Sequence, residues 1–141
     1  MKVLLDANVV VSVLNKEYPV FTYSSRLLSL SGQRGFHFFI TPLSLSIAAY
    51  FSDKKSGSVI AKSKIRTLSD HLSIAIVDEQ SLKQALNNKA VKDFEDGMQY
   101  YAALNEGCDC IVTENKSDFY FSEIEVVNCQ EFLVSHARKL D

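Results

Sequence analysis

Short apolar segments that alternate with longer helix-like stretches most constrain what this chain can fold into. Residues 2–5, 36–40 and 110–112 are each apolar and bounded by polar or turn residues, and 73–77 and 125–127 are weaker candidates. Parallel strands are buried on both faces, so they appear in a sequence as short continuous apolar runs. Strands that alternate with helices predict βαβ units. We therefore expect an α/β fold in which helices cover both faces of a central parallel sheet of four to five strands.

Proline and glycine positions help to delimit the predicted helices. Pro19 and Pro42 stand where a first helical turn tolerates proline, and Gly107 is placed to end a helix in the left-handed conformation. The predicted helices cover residues 7–14, 18–30, 42–51, 56–72 and 93–105, and a last helix starts at residue 130. The length of 141 residues suits one domain, so we expect residues 1–141 to form a single unit.

Composition excludes several classes of protein. Hydrophobic residues make up 47% and charged residues 23%, which is typical of a globular chain rather than a disordered, collagenous or coiled-coil one. No apolar run reaches the roughly 18 residues of a membrane span, and the N-terminus does not resemble a signal peptide. Cys108, Cys110 and Cys129 are an odd number without zinc-site spacing. We expect them to be buried and reduced in a cytoplasmic protein that has no membrane partner.

Three acidic residues are expected at one edge of the sheet. Asp6 directly follows the first predicted strand, Asp118 lies shortly after the 110–112 strand, and Asp96 lies in the first turn of a helix. Ligands of parallel sheets bind beyond the carboxyl ends of the strands, where these residues can converge. Oxygen ligands without Cys or His favour hard cations such as Mg²⁺ or Mn²⁺, which assist phosphodiester hydrolysis.

Each of these acids also has a purely structural interpretation. Asp6 is a preferred N-cap for the helix over 7–14, and Asp93 with Asp96 resembles a loose capping box. Asn115 and Asp118 are common residues in Asx-turns. The residues alone leave both interpretations open.

Three blocks of this sequence resemble the PIN domain family. Residues 6–10 (DANVV) are similar to its strand-then-Asp-x-Asn opening, and residues 93–103 (DFEDGMQYYAA) to its Asp-Phe-Glu-Asp-Ala helix start. Residues 107–119 (GCDCIVTENKSDF) are similar to its Gly-Cys-Asp, strand, Thr-x-Asn-x-x-Asp-Phe block. The resemblance extends from Met1 to about Leu133, with the blocks in the family's order and spacing.

The resemblance implies a three-layer α/β/α fold and a Mg²⁺- or Mn²⁺-dependent ribonuclease. Such proteins are often toxins of VapC-type toxin–antitoxin pairs, so the implied partners are RNA and a cognate antitoxin, and a homodimer is also considered. By matched position, Asp6, Asp96 and Asp118 are the catalytic and metal-binding acids. The residues that would support them are Asn8, Glu95, Thr113 and Asn115.

The chain departs from the family pattern at one acidic position. The helix after the second strand usually carries an acid, where this chain has Ile47, and residues 41–52 contain no acid at all. Asp53 comes about 9 Å further along the helix and on a different face, so it is a poor substitute. A catalytically weak or inactive PIN-like domain that binds RNA or protein is therefore the second hypothesis. Gly97, where alanine is usual, is a tolerable departure at a cost of about 1 kcal/mol of helix propensity.

A local basic stretch is the candidate RNA-binding region in a chain of net charge −2. One interpretation is a solvated helix face, and the other is a surface that contacts RNA phosphates. Its residues are Lys54, Lys55, Lys62, Lys64 and Arg66, with Lys116 beside the acidic edge as a further phosphate contact. The Phe and Tyr residues lie mostly at apolar positions, so we expect them in the core, and no interleaved stacking motif stands out among them.

Overall fold

A five-stranded parallel sheet forms the centre of the protein. The computed structural model describes residues 1–137. Its strands, numbered β1 to β5 along the chain, are Lys2–Leu5, His37–Ile40, Ser73–Ile74, Cys110–Val112 and Glu125–Val127. Their order across the sheet is β3-β2-β1-β4-β5, and every neighbouring pair is parallel. The predicted α/β fold with a central parallel sheet is confirmed.

Helices connect consecutive strands. Helices α1 to α7 are Ala7–Leu14, Val20–Ser29, Pro42–Ser56, Ser58–Ser69, Glu79–Asn87, Phe94–Glu106 and Cys129–Phe132. A 3₁₀ turn, Lys116–Phe119, follows β4, and a π-helical segment, Leu133–Ala137, continues α7. The predicted last helix and the predicted unit both extend into residues 138–141, which lie outside the described residues. None of the helices within 1–137 is long and apolar enough to cross a membrane.

Alternation along the strands produces two hydrophobic cores, one on each face of the sheet. Val3 and Leu5 point into the core formed with α1, α2, α3, α4 and α7, whereas Leu4 points into the core formed with α6. Helix α5 covers α6 on the outside. The sheet is therefore buried on both faces, which explains why its strands are continuous apolar runs.

Three features differ from the sequence expectations. Helix α3 extends beyond its predicted end at residue 51 as far as Ser56, and it meets α4 at Gly57 (φ 84°). Helix α4 covers Ser58–Ser69 and is shorter than the predicted 56–72. Strand β3 is shorter than the predicted 73–77 because only Ser73–Ile74 pair with β2. Helix α5 was not predicted, since it is short and buries only the small side chains of Ser81 and Ala85. Its N-cap, Asp78, accepts from the Ser81 N–H at 2.9 Å and was the available signal.

Gly97 is required by packing, which corrects its interpretation as merely tolerable. It is buried in α6, and a Cβ atom there would lie 2.6 Å from Val91 Cγ1 and 3.0 Å from the Ala85 Cβ. These distances are too short for any side chain without movement of α5 or the loop before α6. The residue after Asp96 therefore fixes how closely α5 approaches α6.

The three cysteines are buried and free, as predicted. Burial is the main cause that raises the pKa of all three thiols, that of Cys108 to about 12. They remain protonated near neutral pH and act as small apolar side chains.

Candidate active site

Asp6 is the most buried acid at the carboxyl edge of the sheet. It stands between β1 and α1, is 8% exposed, and caps α1 by accepting from the Ala7 N–H at 2.8 Å. The structural interpretation of Asp6 is therefore correct. It does not exclude a chemical role, because the second carboxylate oxygen points away from the helix and accepts from Thr113 Oγ1 at 2.8 Å.

Polar residues from the family-like blocks surround this carboxylate. The Asn8 side-chain amide donates to Asp6 Oδ2 at 3.4 Å and to Thr113 Oγ1 at 3.2 Å. Thr113 Oγ1 also accepts from the Asn115 N–H, and Asn8 Oδ1 accepts from the Glu114 N–H. These bonds tie the end of β4 to the start of α1. They hold the Asp6 carboxylate in one orientation.

Gln99 is a further residue at this carboxylate that the sequence analysis missed. It is 1% exposed, its Nε2 donates to Asp6 Oδ1 at 3.4 Å, and its Oε1 accepts from Ser44 Oγ at 2.6 Å. A carboxylate only accepts hydrogen bonds, so the amide nitrogen must face Asp6 and the amide oxygen must face Ser44. A glutamine three residues after Asp96, on the buried side of α6, was the available signal.

Asp96, Asp118 and Glu95 face the same open cleft as Asp6, which has a volume of about 400 Å³. Asp93 caps α6 through the Asp96 N–H at 3.0 Å and so presents Asp96 and Glu95 on its first turn. The 3₁₀ turn carries Asp118. Burial first, and then the charges of Asp93, Asp6, Asp118 and Glu95, raise the pKa of Asp96 to about 7.

Burial and mutual repulsion also raise the pKa values of two neighbouring carboxyl groups, those of Asp6 and Glu95. Burial is the main cause that raises the pKa of Asp6, and the charge of Asp118 adds to it, against hydrogen bonds from Thr113, Ala7 and Gln99. The pKa of Glu95 is raised by burial and by the charges of Asp93 and Asp6. A cation in the cleft would offset the free-energy cost of keeping these neighbouring carboxylates ionised.

The donor set suits a hydrated cation better than a fully protein-ligated one. Among residues 1–137, no group of three His, Cys, Asp or Glu side chains is arranged to hold an ion directly. Mg²⁺ keeps several waters and commonly binds through one or two carboxylates. The oxygen-only cleft, with repelling carboxylates from β1, α6 and the 3₁₀ turn, therefore fits a hydrated hard divalent ion.

The opposite wall of the cleft is apolar. Ile47 and Phe51, one turn apart on α3, both line it, and neither can bind a cation through oxygen. Ile47 therefore faces the acids rather than the core, as its alignment with the usual acidic position requires. Glu17 also lines the cleft, although the sequence analysis did not single it out.

The basic stretch has two kinds of residue. Lys55 Nζ donates to the Asn15 carbonyl and Lys64 Nζ donates to the Leu14 carbonyl at 2.9 Å, so both cap the C-terminal end of α1. Lys54 lies over the Tyr50 ring, while Lys62 and Arg66 are exposed on α4. Lys116, at the start of the 3₁₀ turn, pairs with Glu131 at 2.9 Å.

Known proteins share both the sequence pattern and this architecture. The sequence matches the PIN domain family over residues 2–117. It is 30% identical over 135 residues to ribonuclease VapC1 of Aquifex aeolicus (strain VF5), a match that covers 93% of this chain and 92% of that protein.

Solved VapC toxin structures have the same fold at low sequence identity. VapBC2 from Rickettsia felis, solved with a DNA fragment from its promoter, matches with a TM-score of 0.69 and 17% identity, over 91% of this chain and 98% of that one. Mycobacterium tuberculosis VapC20, a toxin that cleaves the sarcin–ricin loop, matches with a TM-score of 0.66 and 13% identity, over 86% of this chain and 98% of that one. Sequence and fold agree that this chain belongs to the PIN domain family.

Proposed function

We propose that this protein is a divalent-metal-dependent endoribonuclease that acts as the toxin of a toxin–antitoxin pair. The convergence of Asp6, Asp96 and Asp118 on one cleft at the carboxyl edge of the sheet supports this most strongly. The similarity to a ribonuclease over nearly the whole chain supports the same reaction.

The residues of the cleft have separable tasks in this proposal. Bound Mg²⁺ or Mn²⁺ supplies activation of a water and stabilisation of the charge that develops on a phosphoryl oxygen. Thr113, Asn8 and Gln99 hold the Asp6 carboxylate in one orientation, which reduces the reorganisation needed during the reaction. Asp96 and Asp118 complete the negative cleft, and Glu95 adds charge at its rim.

An RNA cleavage assay tests the proposed activity. The purified protein should cleave a generic RNA with Mn²⁺ and stop cleaving when EDTA is added. Asp118→Asn should lower the cleavage rate strongly, whereas Asp70→Asn, an exposed acid at the end of α4, should not. Cleavage that persists in EDTA would contradict the proposed metal dependence.

Ile47 favours a second candidate function, a PIN domain with weak chemistry that mainly binds RNA or protein. One fewer anionic side chain in the cleft weakens its attraction for a divalent ion. We expect Ile47→Glu to tighten Mn²⁺ binding by about 10- to 100-fold and to raise the cleavage rate, by analogy with the loss of a supporting ligand. The melting temperatures of the wild type and of Ile47→Glu, measured against Mn²⁺ concentration, test this expectation. An equal response of the two proteins would show that an acid at position 47 is not needed.

The proposed partners and location follow from the same family membership. Solved VapBC complexes with this fold support a cognate antitoxin. A homodimer is supported by exposed Val59 and Ile60 on α4, and light scattering of the free protein tests it. The buried, unpaired cysteines support a reducing cytoplasmic location.

A further inference from the structure

Exposed aromatic residues next to the acidic cleft contradict the expectation that the Phe and Tyr residues are core. Phe51 is 45% exposed and Tyr50 is 58% exposed, and their rings meet edge to face at a centroid distance of 5.3 Å. Exposed aromatic faces cost free energy in water, since their burial is favourable. Phe51 lines the cleft that holds Asp6, Asp96 and Asp118.

The charge of the cleft limits what can bind against this wall. None of the residues described as lining the cleft is Lys or Arg, whereas five are Asp or Glu. An RNA phosphate therefore finds no protein cation inside the cleft, and its attraction there depends on a bound metal ion. Affinity from the protein itself must come from a contact that carries no negative charge, and a nucleobase stacked on an aromatic ring is such a contact.

The positive charges lie just outside the cleft, beyond the aromatic pair. Lys54 lies one turn beyond Tyr50 on α3, with Nζ 5.5 Å from the centroid of the Tyr50 ring. The apolar cleft wall at Phe51, the Tyr50 ring and the Lys54 ammonium group are thus neighbours on α3, the order that a metal-bound phosphate, a base and a flanking phosphate require.

We propose that Phe51, flanked by Tyr50 and Lys54, is a stacking platform for an unpaired base beside the cleavage site. This inference rests on the proposed ribonuclease function and assigns one base contact of its substrate to Phe51. The bases of a duplex are stacked on one another, so they cannot lie against Phe51. The platform occupies the apolar wall of the cleft, because Ile47 extends the surface of Phe51.

RNA affinity of Phe51 variants tests the platform. The probe is a fluorescent mixed-sequence RNA of about 12 nucleotides, within the span of known single-strand sites. Binding is followed by anisotropy with Mn²⁺ at low temperature, and gels check that the RNA is intact. We expect Phe51→Leu to weaken binding by about 5- to 150-fold and Phe51→Trp to change it by less than about twofold.

Matched controls separate stacking from general damage. Phe94→Leu alters a phenylalanine of similar exposure (41%) that does not line the cleft, so affinity should stay unchanged. Phe51→Leu keeps the main-chain carbonyl that accepts from Asn15, and its circular dichroism should match that of the wild type. The duplex form of the same RNA should bind more weakly than the single strand and should not respond to Phe51→Leu.

The outcomes distinguish this inference from the ribonuclease proposal. Equal affinity of wild type and Phe51→Leu, in a protein that cleaves RNA with Mn²⁺, overturns the platform and leaves the ribonuclease intact. That result is also expected if the wall is a docking face for a protein partner. Phe51-dependent binding without any cleavage supports the platform and overturns the nuclease. Equal affinity for duplex and single strand overturns the proposed contact between Phe51 and an unpaired base.

Discussion

At the scale of single residues, the Asp6 carboxylate is held by four donors from three parts of the chain. Thr113 follows β4, Gln99 lies on α6, and Ala7 and Asn8 form the start of α1. Buried carboxylates need such donors, since removal from water disfavours the charged form. Gln99 is held in turn by a side chain of α3, because its Oε1 accepts from Ser44 Oγ.

Gln99→Leu tests whether this glutamine positions Asp6. The leucine fills much of the buried space but leaves Asp6 Oδ1 without one donor, so we expect Mn²⁺ affinity to fall by about 10- to 100-fold. Ser44→Ala should have a smaller effect in the same direction, because the amide remains but its orientation is no longer fixed. Calorimetric Mn²⁺ titration measures both. A loss of stability with unchanged Mn²⁺ affinity would make Gln99 only a core residue.

The raised pKa of Asp96 predicts a pH dependence of stability in the metal-free protein. The native state holds this proton up to about pH 7, whereas the unfolded state releases it near the ordinary value of 3.8. Stability should therefore fall as pH rises from about 4 to about 7, and the penalty should be complete above pH 7. Asp96→Asn should remove it.

Urea unfolding in EDTA at pH 4 and pH 8 measures this effect. From pH 4 to pH 8, the free energy of unfolding of Asp96→Asn should rise relative to that of the wild type. The expected difference is on the order of 1 kcal/mol, because water screens a half-exposed carboxylate. Each protein is compared with itself at the two pH values, so any pH-independent effect of the substitution on the start of α6 cancels. An identical pH response of the two proteins would show that Asp96 carries no such penalty.

At the scale of secondary structure, Gly97 sets the distance between α5 and α6. An alanine there would gain about 1 kcal/mol of helix propensity, but its Cβ would collide with Val91 and Ala85. Overpacking of this kind costs about 1–3 kcal/mol, so we expect Gly97→Ala to destabilise the protein by about 1 kcal/mol net. Gly97→Ala in combination with Val91→Ala should recover part of the loss. Denaturant unfolding of both forms measures this, and a more stable single variant would contradict the packing argument.

The success of sequence analysis varied among the elements for physical reasons. Strands β1 and β4 were predictable because both faces are buried, so every residue of the two strands except Lys2 is apolar. Helix α5 was overlooked because it is short and the residues that it buries, Ser81 and Ala85, are small. The three acids were found because strand ends and helix starts meet at one edge of the sheet. Gln99 and Phe51 were missed because burial of an amide and exposure of a ring depend on how α3 and α6 pack.

At the scale of the whole molecule, the exposed basic residues of α3 and α4 lie outside the negatively charged cleft. Lys64 stabilises the end of α1, so the test of RNA binding should leave it in place. Changing Lys54, Lys62 and Arg66 together to Ala should weaken RNA binding and reduce its salt dependence, since fewer counterions are released. Anisotropy titrations at several salt concentrations measure the slope. An unchanged slope would assign these residues to a solvated helix face.

The central claim is that acids from three separate elements form one divalent-cation site. Calorimetric titration of Mn²⁺ into wild type, Asp6→Asn, Asp96→Asn and Asp118→Asn tests it most directly, with folding of each variant confirmed by circular dichroism. We predict one site in the wild type and affinity reduced by at least about tenfold in every variant. Wild-type affinity in any one of the three variants would contradict a site shared by all three acids.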